Sequence, residues 1–152
     1  MLLNKIRNYI TRYRSISKQK NEFDKICSFL INKKNPVIFD VGANAGQSIT
    51  RFKKLFPNSI IHSFEPLKNE FNYLSLLYKN DSSVIVNNFA LGEKNEIKDF
   101  YISTVGTNSS FQKTKPVAAK FYLKRFMETN KIDPKTEYLK KIEKVEVQTL
   151  DY

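Results

Sequence analysis

Val37-Ile-Phe-Asp-Val-Gly-Ala-Asn-Ala-Gly46 decides how the rest of the chain is read. Three apolar residues lead into Asp40, and Gly42 and Gly46 follow four positions apart. The run is short, continuous and apolar, and Pro36 precedes it, so it reads as a buried, parallel strand. Gln47-Ser-Ile-Thr-Arg-Phe52 has helical character, so the glycine turn opens a helix. A strand, a glycine turn and a helix N-terminus form a nucleotide-binding corner. Backbone N–H groups face the ligand there, and no Cβ blocks its approach.

Downstream of this corner, strands and helices alternate. A helix over about 46–56 turns Ile49, Phe52 and Phe56 inward and stops at Pro57-Asn58. Ser59–Phe64 is the second strand, closing on Glu65-Pro66. A helix over about 67–79 carries Leu67, Phe71, Leu74 and Tyr78 on one face. Asn80-Asp-Ser-Ser83 is a turn, and Val84–Asn87 the third strand. This βαβαβ order predicts an α/β fold with a doubly wound parallel sheet. After Leu91-Gly92 the regularity weakens. Ile97–Ser103 reads as a strand pairing in a hairpin, Gly106–Ser110 as a loop, and 117–129 as a helix with Phe121, Tyr122 and Phe126 on its apolar side. Asn130–Lys135 is a turn, and Val145–Thr149 alternates as a last strand. No internal repeat or low-complexity tract is present.

Upstream, residues 1–34 form a basic helical extension to a domain over 35–152. Leu3, Ile6, Tyr9/Ile10 and Tyr13 recur at helical spacing among Lys5, Arg7, Arg12 and Arg14. Ser15–Lys20 breaks the pattern, and a second helix carries Phe23, Ile26, Cys27 and Leu30. The extension is expected to pack on the domain as a lid; the alternative is peripheral association with a membrane surface.

Composition narrows the class. The 152 residues include 12 Phe and 8 Tyr, enough for a core and against disorder of the whole chain. Net charge is +11, from 26 Lys+Arg and 15 Asp+Glu. The cations are scattered along the chain, which favours solvated faces over a dedicated nucleic-acid site. The single cysteine, Cys27, allows no internal disulfide and fits a reducing compartment as a small buried hydrophobe. No apolar run has the length of a membrane span or a signal peptide, so a cytoplasmic location is expected. No metal site is expected.

The glycine spacing separates two kinds of ligand. Dinucleotide folds use Gly-x-Gly-x-x-Gly, whose middle glycine is missing here, so a nicotinamide-dependent oxidoreductase is disfavoured. No Lys-Ser/Thr follows, which removes a P-loop. A looser Asp-x-Gly-x-x-x-Gly turn suits a ligand without phosphates, and S-adenosylmethionine is one. Its ribose presents two O–H donors and needs an acceptor-only group. Glu65, at the tip of the second strand, is placed for that role. Pro66 and Leu67 would flank the adenine, with Asn88, Phe89 or Ala90, at the tip of the third strand, on its other side or edge. Asp40 is placed to satisfy backbone N–H groups of the glycine turn. His62, inside the second strand, is expected to be a hydrogen-bonded structural residue.

Phe39-Asp-Val-Gly-Ala-Asn-Ala-Gly-Gln47, Phe64-Glu-Pro66, Asn88-Phe-Ala-Leu-Gly92 and Val147-Gln-Thr-Leu-Asp151, in this order and spacing, resemble the FkbM family of S-adenosylmethionine-dependent methyltransferases over roughly residues 36–152. The resemblance implies a Rossmann-like, class I methyltransferase fold. It also implies O-methylation, often of a sugar hydroxyl in a glycan or natural product, so the partner is a small-molecule or glycan methyl acceptor. Carried onto this chain, it makes Asp40, Gly42, Ala43, Asn44 and Gly46 the cofactor loop, with Asp40 near the methionine ammonium. It gives Glu65 the ribose, with Pro66, Leu67, Asn88, Phe89 and Ala90 by the adenine. Ser109 and Ser110 match a small-residue loop without an assigned role, and Asp151 reads as a helix N-cap. The family continues after Thr-Leu-Asp with a fourth core strand beside the first. The expectation is therefore a cofactor-binding half with weak or no turnover, in which Val37–Phe39 is an open sheet edge. No residue in 36–152 is a convincing base for the acceptor oxygen. The competing class is a non-catalytic module that docks on an anionic surface or partner.

Overall fold

The computed structural model describes residues 22–105, 109–130, 133 and 136–150. The expectations for residues 1–21, the Gly106–Asn108 stretch, most of the Asn130–Lys135 turn and Asp151 lie outside these.

Residues 22–30 form helix α1. Strand β1 (Val37–Val41), helix α2 (Gln47–Leu55), strand β2 (Ile60–Phe64), helix α3 (Lys68–Leu77) and strand β3 (Val84–Asn87) follow in the expected order. The three strands are parallel, in the order β1-β2-β3. The chain is thus mixed α/β with a small parallel sheet. Its winding runs one way only, and no second, opposed half of a doubly wound sheet is found among the described residues.

Period-two alternation sorts the strand residues onto two faces. Ile38, Ile61 and Val84 lie in register as one row across the sheet. All three join Ile49 and Phe56 of the α2 segment and Leu74 of α3 in the core. Cys27 and Ile31, from α1 and the residue after it, pack on the same cluster, as does Tyr78 after α3. Cys27 is half-buried, not fully buried as expected, and packs at the margin of the core. The opposite face carries Val37, Phe39 and Val41, which remain 55, 51 and 62 % exposed. His62 is on that face too, stacked on Phe39 with ring centroids 5.4 Å apart. Its expected hydrogen-bonded role is replaced by ring stacking. β1 is also an edge strand, so an apolar strand is open on one face and one side.

A polar stitch closes the N-terminal ends of the strands. Lys53 Nζ donates to the Ser83 hydroxyl and to the Pro57 and Ser59 carbonyls, and lies 3.7 Å from Asp81 Oδ2. The Ser83 hydrogen bonds hold the Asp81 carboxyl below its ordinary range. The C-terminal ends of the strands are left for the glycine corner.

The second half forms its own sheet. Strands β4 (Ala90–Leu91), β5 (Glu96–Ser103) and β6 (Leu139–Gln148) lie in the order β4-β6-β5, and helix α4 spans Pro116–Asn130. β5 does not form the expected hairpin with its neighbour. It pairs antiparallel with β6, about forty residues on, and β4 pairs parallel with the other side of β6. β6 therefore occupies the middle and separates the two strands that a local turn would have joined. β6 also begins at Leu139, six residues before the alternation at Val145 becomes legible. Leu139 and Ile142 are three apart, a helical spacing. Opposite them the register slips between Ile102 and Ser103, which pair with Lys141 and Leu139. Beside this sheet Gly92 permits close approach, since a Cβ there would lie 2.5 Å from Val147 Cγ1.

Candidate functional site: a cleft at the glycine corner

The loop after β1 is built on left-handed backbone. Gly42, Asn44 and Gly46 have φ of +78°, +50° and +79°. At such angles a Cβ collides with the following carbonyl, so glycine is the unstrained choice and asparagine a tolerated one. The two glycines differ in surroundings. A Cβ on Gly46 would meet Leu74 Cδ2 at 2.9 Å and Tyr78 Oη at 3.2 Å, so Gly46 lets the loop lie against α3. A Cβ on Gly42 would meet nothing within 4 Å. Gly46 thus serves packing, whereas Gly42 keeps open the space above the turn.

The loop is tied to the end of β2. The Gly42 and Ala43 N–H groups both donate to the Phe64 carbonyl, at 2.9 and 3.3 Å. The Glu65 carboxylate clasps the corner: the Asn44 N–H donates to Oε2 at 2.8 Å and the Leu67 N–H to Oε1 at 3.0 Å. One side chain thereby fixes the glycine loop and the start of α3 together. A carboxylate offers about four lone-pair sites, so about two remain. Glu65 is 5 % exposed. Burial pushes its carboxyl above the ordinary range. The Leu67 and Asn44 N–H groups oppose that shift, and the negative charges of Glu70 and Asp40 add to it.

Asp40 lies beneath the loop, on the helix-covered face. Burial raises its carboxyl above the ordinary range, and a hydrogen bond with the Ser48 side chain draws it partly back. Its Oδ2 is buried and has no hydrogen-bond partner. Such an atom is an acceptor short of a donor.

A cavity of about 200 Å³ opens over this corner. Val41, Gly42, Asn44, Phe64 and the Glu65–Leu67 turn form its near wall, and Ala90 and Leu91 its floor. Phe100 of β5, Ser109 and Phe111 form the far wall. Phe100 and Phe111 meet edge to face with centroids 4.9 Å apart, making an apolar surface. The volume is below the roughly 300–1,000 Å³ of enclosed small-molecule sites, so a ligand of nucleoside size would extend beyond it.

Of the residues expected from sequence, Gly42, Asn44, Glu65, Pro66, Leu67 and Ala90 converge on this cleft. Asp40, Ala43, Gly46, Asn88 and Phe89 are not on its wall. Ala43 is 2 % exposed and belongs to the core. Asn88 uses its amide to donate to the Glu65 and Pro66 carbonyls at 3.0 and 3.1 Å, holding the β2–α3 turn. Phe89 packs against Phe64, 5.5 Å between centroids, and supports the wall from behind. The far wall escaped the sequence reading. Its only signal was the aromatic content of Phe100–Tyr101 and Phe111, with nothing to say which strand would bring them near Gly42. Ser109, an unassigned loop residue in sequence, also accepts from the Ser103 N–H through its hydroxyl, at 3.0 Å.

The cleft sits at the C-terminal ends of parallel strands, where open α/β sheets bind ligands. Among its lining residues Glu65 is the only titratable one. No group of three or more His, Cys, Asp or Glu able to hold a metal is found among the described residues. No described helix is long and apolar enough to cross a membrane. No protein-family model matches the chain, and no curated protein matches it.

Proposed function

We propose that this chain is the S-adenosylmethionine-binding unit of a class I, Rossmann-like methyltransferase of the FkbM type, acting on a hydroxyl of a sugar in a glycan or natural product. The observation that carries the reading is Glu65. Its carboxylate is held by the Asn44 and Leu67 N–H groups, lines the cleft, and keeps acceptor capacity for two hydroxyl donors. That matches a ribose diol. The open space above Gly42 leaves room for a ligand against the backbone. When bound, the cofactor supplies an activated methyl group on a sulfonium. The chain's own residues hold and orient it: Glu65 at the ribose, and Pro66, Leu67 and Ala90 along the base. Acceleration of methyl transfer would rest on positioning, since the lining residues offer no free general base. The support consists of this geometry and the four motifs in series.

Titration calorimetry with S-adenosylmethionine tests the reading. Saturable binding is expected. An analogue lacking the ribose hydroxyls should bind at least about tenfold more weakly, because hydrogen bonds to a carboxylate are charge-assisted. No saturable heat from a chain that melts cooperatively, or equal affinity for the analogue, would sink it. Tighter binding of a nicotinamide dinucleotide would move the proposal to an oxidoreductase.

A further inference from the structure

The scatter of cations along the chain is uneven. Residues 1–34 hold nine Lys and Arg against two acidic residues, a net +7, whereas residues 35–152 hold 17 against 13, a net +4. One of the two acids, Asp24, is paired with Arg51 of α2. Arg51 also lies over the Phe23 ring, 4.2 Å from its centroid, and Cys27 and Ile31 pack on the core. Helix α1 is therefore held along one side. On the outer side Ile26, Phe29 and Leu30 are 56, 85 and 70 % exposed. They are spaced i, i+3, i+4 and so form one ridge. Lys25 flanks it, and exposed Lys33 and Lys34 follow.

From this ridge and its charge we infer that the outer face of α1 docks on an anionic phospholipid membrane. A lipid surface satisfies both features in one plane. Apolar side chains enter the headgroup boundary, and cations meet anionic headgroups. A second copy would set one +7 segment against another. A nucleic acid would take the cations but leave Phe29 and Leu30 in water. The exposed face of β1 and β2 has no Lys or Arg on either strand, so charge does not select a lipid there. Helix α4 is the nearest rival, with exposed Val117 and Phe121, but its three cations and one acid give only +2. The inference uses no residue of the cleft and stands apart from the cofactor reading.

The test uses the full 152-residue chain. It contains no Trp, so Phe29→Trp is a unique reporter. Its emission should shift to the blue with vesicles containing about a third phosphatidylglycerol, and not with pure phosphatidylcholine. Raising NaCl to about 1 M, where screening acts within about 3 Å, should reverse the shift. In vesicle sedimentation of the otherwise native chain, Phe29→Glu with Leu30→Glu should lower partitioning at least about tenfold. If that pair unfolds the chain, Lys33→Glu with Lys34→Glu should give a loss of the same sense. Equal partitioning to neutral vesicles, no binding at low salt, or loss on Val117→Glu and not on the α1 substitutions would overturn the inference. So would tighter binding to duplex DNA that the Phe29→Glu, Leu30→Glu pair leaves unchanged.

Discussion

The two sheets of this molecule hold their chain in different ways. In the parallel sheet each layer buries side chains outright: Ile49 of α2, Ile61 of β2 and Leu74 of α3 are fully buried. In the second sheet the long β5–β6 ladder does most of the holding, and Val145 and Val147 are the buried apolar residues of β6. Helix α4 buries no residue at all, and its Val117 is 84 % exposed. One region is held by packing across layers, the other by backbone pairing along an edge. Packing density costs most to lose, because a cavity forfeits dispersion contacts as well as burial.

Truncation therefore separates the regions most sharply. Leu74→Ala is expected to lower unfolding free energy by about 2–5 kcal/mol, and Val117→Ala by under about 0.5 kcal/mol. Urea unfolding of both variants measures this. Equal losses would break the comparison and mean that α4 contributes to a core its exposure does not reveal.

The same contrast can be made inside the glycine corner. Gly46→Ala should cost about 2–4 kcal/mol, from left-handed strain of roughly 1–2 kcal/mol and overpacking against Leu74 and Tyr78. Gly42→Ala carries the strain alone and should cost about 1–2 kcal/mol. Cofactor affinity should rank the other way once the folded fraction is accounted for, because the new methyl at Gly42 enters the cleft. Paired urea melts and calorimetry would show both orders.

This contrast also explains what could be read from sequence. β1 to β3 with α2 and α3 emerge within about two residues of their observed ends, because a buried face imposes its period on the residues that fill it. Val84–Asn87 matches at both ends. Of β6 only Val145–Thr149 is legible, where apolar and polar residues alternate, and the strand itself ends one residue earlier, at Gln148. Its first half pairs through backbone and leaves Ile142 half exposed, so no period marks it. The partner of β5 was hidden for a related reason: pairing at a distance of forty residues leaves no local trace. In the cleft, the position of Glu65 was readable from the strand end. Its clasp on the Asn44 and Leu67 N–H groups was not, because it depends on backbone direction in a left-handed turn. The tip of the third strand predicts Asn88 beside the adenine, but its amide turns to the carbonyls of Glu65 and Pro66 instead.

Acidity offers a milder probe of the packed region. Burial raises the carboxyl of Asp40 above its model-peptide value of 3.8 and that of Glu65 above 4.5. The native state then holds protons that the unfolded state has released. Their contribution is fully present below those unfolded values and is lost as pH rises through the raised native ones. Asp40→Asn should remove part of that slope, so the gap between variant and native chain should move in the variant's favour as pH rises from about 4 through the raised native value, and then level off. Urea midpoints from pH 4 to 7 check this. A gap independent of pH would mean that Asp40 titrates alike in both states.

The smallest effects should come from two lysines, one in each region. Lys53 is 21 % exposed and holds Ser83, two carbonyls and the Asp81 carboxylate at once. Lys144 is 76 % exposed and meets Asp99 directly across the β5–β6 ladder at 3.3 Å. A partly buried cation with several acceptors leaves carbonyls without a donor when it is removed. An exposed pair returns both partners to water. Lys53→Met should therefore cost about 1 kcal/mol and keep most of that cost in high salt. Lys144→Met should cost under about 0.5 kcal/mol and lose even that near 1 M NaCl, where charges beyond about 3 Å are screened. A larger, salt-resistant loss at Lys144 would mean that the second sheet is held by its charges as well as by its ladder.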